Sequence, residues 1–111
     1  MPKFITIGYG DEAGYERTPK AVRDAAHRND AALVKEGALM GGVGAPVQVR
    51  NTEGARIATR AGAFMSSRLP VAGFAVIEAD NLDDAIAKVS LSPCAVAHGV
   101  IEVWPLETTP A

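Results

Sequence analysis

The sequence predicts a single α+β domain in which two helices cover one face of a sheet. Three observations lead to this class: an almost wholly apolar strand over residues 71–77, two amphipathic helices, and an alternating order of elements. That order is strand, helix, strand, ribbon, strand, helix, strand. The 111 residues fit one ordinary domain. We assign residues 1–106 to it and residues 107–111 to a tail expected to fray.

The first half of the domain is predicted to be a strand followed by a long helix. Residues 4–9 alternate as a strand, and a polar loop follows through Arg17. Thr18 suits the N-cap of the helix, Pro19 suits its first position, and Gly37 supplies a left-handed stop. The stripe expected to be buried comprises Val22, Ala25, Ala26, Ala32 and Leu33.

The second half begins with a short strand over 38–40 and a glycine bend over 41–44. A β-ribbon is then predicted from residues 47–50 and 55–59, joined by a turn at 51–54. The apolar strand 71–77 is expected to be central and buried on both sides. Asp80 or Asn81 caps a helix that ends before Ser92-Pro93, with Leu82, Ala85, Ile86 and Val89 facing the sheet. Residues 100–104 form the last strand.

Without the inserted ribbon, this order is the split β-α-β repeat of a ferredoxin-like fold. Both helices then lie on one sheet face, and the other face exposes apolar side chains, expected around Phe4, Phe74 and Val103. Monomeric proteins seldom leave such patches uncovered. A second copy of the chain is the expected cover, so the sequence predicts a homodimer.

Composition argues against several classes of function. Eleven basic and thirteen acidic residues give a net charge of −2, which disfavours nucleic acid as a partner. No apolar run approaches the ~20 residues of a membrane span, and the first residues lack the features of a secretory signal. The lone Cys94 cannot form an internal disulfide, which fits a cytoplasmic location. The sparse histidine and cysteine content predicts no metal site, and glycines 41–44 lack dinucleotide-binding spacing, so no cofactor is expected.

A family resemblance rests on several short segments of the second half. They are Gly62-Ala63-Phe64, Gly73-Phe74 through Ile77, Asn81 through Ile86, Ser92-Pro93, Gly99, Ile101-Glu102-Val103 and Pro105. Residues 7–13 and Val49-Arg50 before Gly54 add to the pattern. Together they resemble the YCII-related domain family in its DGPF branch. The resemblance implies a ferredoxin-like domain that dimerises through its sheets into an α+β barrel, with a cavity between sheet and helices.

The chain also departs from the family pattern at chemically important positions. Ala61 and Ala63 stand where the DGPF motif would place an aspartate and a proline. Ser92 stands where the founding YCII branch carries an aspartate that pairs with a helix histidine. His27 lies near that histidine position, but Ala26 is the better match in register. A histidine–carboxylate dyad is therefore doubtful in this chain.

Five residues are candidates for a site, each with a structural alternative. His27 lies off the apolar stripe, which favours a solvated position, whereas Asn29 lies within it and needs either a backbone partner or a pocket. Arg50 could hold a carboxylate or be solvated at the end of its strand. Ser92 is a ligand-binding candidate after the second helix. His98, before the last strand, is a candidate for a pocket rim or an exposed turn.

Two further residues call for a structural interpretation. Cys94 lies near His98 in sequence, and a cysteine with a histidine can form an activated nucleophile. Free cysteine is more often a small buried apolar residue, and we expect that role here. Trp104 stands where the family commonly has arginine, and we expect it to pack under the dimer contact.

These features support two main functional hypotheses. The first is a homodimeric module that binds a small organic ligand or serves a partner protein. The alternative is a small enzyme with His98, or else His27, as general base and Arg50 or Asn29 orienting a compact substrate. An enzymatic site would require Asn29, Arg50 and His98 to face one enclosed cavity. Domains of the DGPF branch are associated with sigma factors, and this association implies a third hypothesis, a role in transcription initiation. The mildly acidic charge of this chain gives no direct support for contact with DNA.

Overall fold

Four antiparallel strands form the main sheet of the computed structural model, which describes residues 1–107. In chain order the elements are β1 (Lys3–Tyr9), α1 (Glu12–Arg17), α2 (Lys20–Lys35), β2 (Leu39–Gly42), β3 (Val47–Arg50), β4 (Ala58–Ala61), β5 (Val71–Glu78), α3 (Leu82–Val89), α4 (Pro93–Val96) and β6 (Val100–Pro105). The mixed helical and antiparallel-strand content confirms the α+β class. The predicted tail, apart from Glu107, lies outside the described residues.

The sheet has the order β2-β5-β1-β6, and one of its faces is covered by helices. In β1 and β5 the antiparallel register places Phe4 opposite Ile77 and Thr6 opposite Ala75, so these four side chains share a face. The three apolar ones, Phe4, Ala75 and Ile77, pack with Leu33 of α2 and with the α3 residues Ala85 and Val89. Burial of this apolar set is the main stabilising contribution to the domain.

The opposite face, which we call the open face, has no covering layer in the described chain. Its side chains follow from the register of the four strands: Ile5, Ile7, Tyr9, Leu39, Phe74, Val76, Val100, Glu102 and Trp104. The expectation for Phe74 is therefore met, but that for Phe4 and Val103 is wrong. Phe4 is buried under the helices, and Val103 packs against the same core. In β1, large apolar residues stand at both odd and even positions. The alternation of side chains along the strand therefore does not predict which sheet face is buried.

The strand β5 is buried on one side rather than on both. Ala75 and Ile77 are in the core, whereas Phe74 on the open face is 39% exposed. A continuous apolar run fits either arrangement, because an open sheet face that joins a partner is also apolar.

A short helix, α1, replaces the polar loop expected before residue 18. The Asp11 carboxylate caps it by accepting from the Gly14 N–H at 2.8 Å. Thr18 is consequently not the N-cap of α2. Its hydroxyl donates to the Gly14 carbonyl at 2.8 Å and satisfies the end of α1, so α2 begins after Pro19. At the other end of α2, Gly37 has a φ of 108° and provides the predicted left-handed stop.

The segment after β5 contains two helices rather than one. Asn81 caps α3, as predicted, by accepting from the Asp84 N–H at 2.8 Å. Ser92-Pro93 ends α3 but also starts α4, because proline suits the first position of a helix. Only half of the predicted α3 stripe is buried: Ala85 and Val89 are in the core, whereas Leu82 and Ile86 are exposed.

The predicted ribbon is present as a separate two-stranded sheet of β3 and β4. Its return strand begins at Ala58, three residues later than the predicted start. Within residues 1–107, no helix is both long enough and apolar enough to cross a membrane. The cytoplasmic location stays a prediction.

Candidate functional site

Two of the five candidate residues meet where α2 contacts the end of α3 and the start of α4. The Asn29 Nδ2 donates to the Lys88 carbonyl at 3.0 Å and lies 3.5 Å from the Ser92 Oγ. The Lys88 carbonyl belongs to the last turn of α3, where carbonyls lack partners within the helix. Asn29 therefore ties two helices together through a backbone hydrogen bond, the structural alternative expected for a polar residue in the buried stripe.

Asp30 joins this junction, although the sequence reasoning did not select it. Burial raises the pKa of its carboxyl, while the charge of His27 and the Ser92 hydroxyl act in the opposite direction. A carboxylate thus lies near Ser92 after all, supplied by α2 instead of by the loop before Pro93. The signal was available: residues 26, 30 and 33 follow helical spacing, and Ala26 and Leu33 are both buried.

Cys94 packs beneath β1 at a place where that strand has no side chain. A Cβ added to Gly8 would lie 2.8 Å from the Cys94 Sγ, so the sulfur occupies the space that the glycine leaves open. Burial, and secondarily the charge of Asp30, raises the pKa of the Cys94 thiol above its ordinary 9.0. Near neutral pH the group is a protonated thiol, which is a poor nucleophile. These contacts support the structural role expected for Cys94.

His27 is exposed, as its place off the stripe predicts, but it has a defined partner. Its Nε2 lies 2.7 Å from the Tyr15 Oη, and the guanidinium carbon of Arg23 lies 4.9 Å from the centre of the Tyr15 ring. The Arg23 Nε is buried and has no hydrogen-bond partner within residues 1–107. Tyr15 lies on α1, and the sequence reasoning missed it because this segment was expected to be a loop.

The remaining two candidates lie apart from this junction. Arg50 is exposed on the ribbon, where it donates to the Gln48 Oε1 at 2.8 Å and lies 5.8 Å from the centre of the Phe64 ring. His98 is exposed in the turn before β6, with a φ of 63° that is uncommon for a non-glycine residue. Asn29, Arg50 and His98 therefore do not face one cavity.

Two concave regions of the described chain have linings that do not include Asn29, Asp30 or Ser92. A recess of about 230 Å³ lies where the end of α2 meets β5, and its lining includes Leu33, Gly37, Ile77 and Lys88. A wider groove of about 430 Å³ runs along the ribbon past Arg50. In residues 1–107, no group of three or more histidine, cysteine, aspartate or glutamate side chains is placed to hold a metal ion.

Comparison with known proteins does not assign the chain. No protein-family model matches it, and no curated protein is similar to it. The resemblance to the YCII-related family stays a prediction from the residues.

The half-buried Asp30 carboxyl should make stability fall as pH rises. Its folded-state pKa is raised above 3.8, so this group favours the folded state most below about pH 3.8 and loses that contribution as pH rises through the raised value. We expect the free energy of unfolding of the native chain, relative to Asp30→Asn, to decrease from about pH 3 to about pH 7. Urea denaturation at several pH values measures this difference.

Asp24 provides a control on the same helix with the opposite sign. Its hydrogen bond with Lys20 is the main cause that lowers the pKa of its carboxyl. The stability of the native chain relative to Asp24→Asn should therefore increase as pH rises through the lowered pKa towards 3.8. If Asp30→Asn gave the same trend as Asp24→Asn, the inferred desolvation of Asp30 would be wrong.

Proposed function

We propose that the protein is a homodimeric accessory module of the YCII-related family, in which two copies pair through their open faces. The observation that carries the proposal is the apolar composition of that face. Trp104 is 50% exposed there and Phe74 is 39% exposed, and Leu39 and Val100 are more exposed still. An apolar sheet face that is left uncovered in one chain is typical of an interface.

The polar groups on the open face have partners within the same face. The Glu102 Oε1 accepts from the Tyr9 Oη at 2.7 Å, and the Trp104 Nε1 lies 3.4 Å from the same oxygen. The Glu102 contact raises the pKa of Tyr9, so the phenol keeps its proton and donates at neutral pH. At one end of the face, Lys3 and Glu78 pair at 3.2 Å. In a dimer paired through this face, the Glu102 carboxylate would keep the hydrogen bonds from Tyr9 and Trp104 as partners within its own chain.

The order of strands supports a ferredoxin-like domain that assembles into a dimeric α+β barrel. Two β-α-β units are present, β1-α2-β2 and β5-α3-β6, and the sheet order β2-β5-β1-β6 interleaves them. Because the helices occupy one face, sheet-to-sheet pairing is the arrangement that would cover the other face in a two-fold dimer.

An accessory role is favoured over small-ligand binding by the form of the two concave regions. The ribbon groove of about 430 Å³ has the volume of a ligand pocket but is open to solvent along the exposed strands β3 and β4. The recess near Leu33 measures about 230 Å³, below the ~300–1,000 Å³ of typical ligand pockets. The Asn29 amide already has a backbone partner. A small organic ligand is the second candidate occupant, and that recess or the open groove of the ribbon would hold it.

One observation favours the enzymatic alternative, namely the contact between Tyr15 and His27. The Tyr15 hydroxyl, 2.7 Å from the His27 Nε2, could orient the imidazole as a general base, and Asp30 lies one turn further along α2. His98 is exposed in the turn before β6 and lies apart from the Tyr15 and Asp30 side chains of this region. In an enzymatic function, His27 would therefore be the better base of the two histidines, the reverse of the order expected from the sequence.

Replacing Val100 by glutamate should break the dimer. Val100 lies on the open face and is 52% exposed, and Val34 on α2 has the same exposed fraction on the helical side. We expect the native chain to sediment as a dimer at micromolar concentration. Val100→Glu should raise the dissociation constant at least about 30-fold, equivalent to ~2 kcal/mol, because it would bury an unpaired charge.

Val34→Glu is the matched control and should leave the dissociation constant within about threefold of the native value. Sedimentation equilibrium of the three proteins measures these constants. A native chain that is monomeric at about 100 µM would contradict the proposal, since that affinity is too weak for a dedicated dimer. Equal effects of the two substitutions would show that the open face is not the interface.

A further inference from the structure

Residues 43–70, which we call the arm, project from the domain. The arm leaves the end of β2 and returns at the start of β5, and its strands β3 and β4 pair only with each other. All of its residues are exposed except Gln48 and Leu69, which are half-buried. The radius of gyration is 16.1 Å, compared with about 13 Å for a compact domain of this length. The arm therefore lacks a packing surface within its own chain.

The arm carries exposed groups of the kind that anchor interfaces. Phe64 is 80% exposed, and the guanidinium of Arg50 lies 5.8 Å from the centre of its ring. Both residues line the groove of about 430 Å³ on the ribbon. Arg60 pairs with Gln48 across the ribbon and shares the face of Arg50. A two-stranded ribbon is marginally stable alone, so this face gains stability if it is covered.

The charge of the chain is divided unevenly between the arm and the rest. The arm contains Arg50, Arg56, Arg60 and Arg68 against Glu53, a net charge of +3. The total of −2 therefore leaves −5 on the remaining residues, which we call the body. None of the four arginines forms an ion pair in the described chain. The arm and the body of another molecule are thus complementary in charge.

We propose that the arm docks on the body of the second copy, with Arg50, Arg60 and Phe64 at the contact. This inference rests on the homodimer proposed above and adds a reciprocal contact to it. The arm continues from β2 and β5, whose side chains Leu39 and Phe74 lie on the open face, so pairing through that face brings the partner close to the root of the arm. The ribbon groove is then completed by the partner.

A second copy fits the arm better than a nucleic acid does. Arginines beside an exposed aromatic ring are also found in nucleic-acid interfaces. The body with its charge of −5 would repel a phosphate polymer, whereas it attracts the arm of another molecule. The negative charge of the body therefore opposes nucleic acid as the partner of the arm and favours a second copy of the chain.

Hydrogen exchange tests the contact at the residues of β3 and β4. We expect their amides to exchange at least about tenfold more slowly at protein concentrations where sedimentation shows a dimer than at concentrations where it shows a monomer. The slowing should diminish when the salt concentration rises from about 0.05 M to about 0.5 M, because the contact is partly electrostatic. A dimer whose arm exchanges equally fast at both concentrations would overturn the docked arm and leave the sheet-paired dimer standing.

Charge reversal in the arm provides the second measurement. Arg50→Glu with Arg60→Glu should raise the dimer dissociation constant at least about tenfold and remove the protection of β3 and β4. The control is Arg17→Glu with Arg28→Glu, which changes the net charge by the same amount but on the body. It should not weaken the dimer, since a more acidic body still attracts the basic arm of the second copy.

The remaining outcomes separate the inference from the proposed function. A native chain that is monomeric at every concentration would contradict both. Equal weakening by the two charge reversals would overturn the docked arm, because the effect would then follow total charge alone. Protection of β3 and β4 that requires added duplex DNA, whatever the protein concentration, would also overturn it and identify the arm as a nucleic-acid contact.

Discussion

Gly99→Ala is expected to destabilise the fold by at least about 3 kcal/mol, the upper end of the usual cost of overpacking. A Cβ at this position would overlap the Tyr9 carbonyl oxygen and lie 2.7 Å from the Cys94 carbonyl oxygen. Both obstacles are backbone atoms, which cannot move aside as the end of a long side chain can. Gly99 thus allows the turn before β6 to lie directly against β1. Urea denaturation measures the loss.

Gly44→Ala is the control for this substitution. Gly44 lies in the arm, and an added Cβ would meet no atom within 4 Å. Stability should change by less than about 1 kcal/mol, because the main effect is on the entropy of the unfolded chain. Equal effects at the two glycines would mean that the turn can shift away from Tyr9, and that the close approach is not a requirement of the fold.

Ile77→Ala is expected to cost about 2–5 kcal/mol of stability at every protein concentration. Ile77 is 2% exposed and is the largest fully buried side chain in the described chain. Its removal would leave a cavity between β5 and the helices. The free energy of unfolding from denaturant titrations at low and high protein concentration gives both the size of the loss and its independence of concentration.

Phe74→Ala, on the opposite face of the same strand, should behave differently. In the proposed dimer its loss weakens the contact between copies, so the destabilisation should grow with protein concentration as the native dimer becomes more populated. If Phe74→Ala were as damaging as Ile77→Ala in the monomer, the assignment of the two faces would be wrong.

The fold class and most element positions could be predicted because they depend on local patterns. Gly37 requires a left-handed conformation, Asn81 caps its helix, and the apolar run of β5 identifies a strand. The face of the sheet could not be predicted in the same way. Phe4, Ile5 and Ile7 place large apolar groups on both sides of β1, so the tertiary arrangement of the helices decides which side is buried.

The short helix α1 was not predicted, because it too depends on tertiary contacts and not on a local pattern. It has no apolar stripe, and contacts distant in sequence hold it. An added Cβ on Gly14 would lie 2.5 Å from the Ala97 carbonyl, which shows how closely α1 approaches the turn before β6. Because α1 was not predicted, the contact between Tyr15 and His27 was not predicted either.

The candidate site was predictable in part. Ser92 and Asn29 do meet, because the apolar stripe of α2 fixes the side on which Asn29 lies. Asp30 follows the same helical spacing, but only its neighbour Asn29 was selected as a candidate site residue. Arg50 and His98 could not be placed from the sequence, since their positions depend on the direction of the ribbon and on the turn before β6 rather than on any periodic pattern.

The pairing of Gly42 with Gly73 has a consequence for how this chain can vary. Gly42 is the last residue before the arm and lies opposite Gly73, the third residue of β5, so β2 and β5 form a hairpin whose connection has been lengthened. Closing the long connection costs only ~2 kcal/mol more than closing a tight turn, since the entropy grows with the logarithm of loop length. Insertion and deletion can therefore act at this point without disturbing the core, and an arm of different length or charge could alter the choice of partner while the body stays the same.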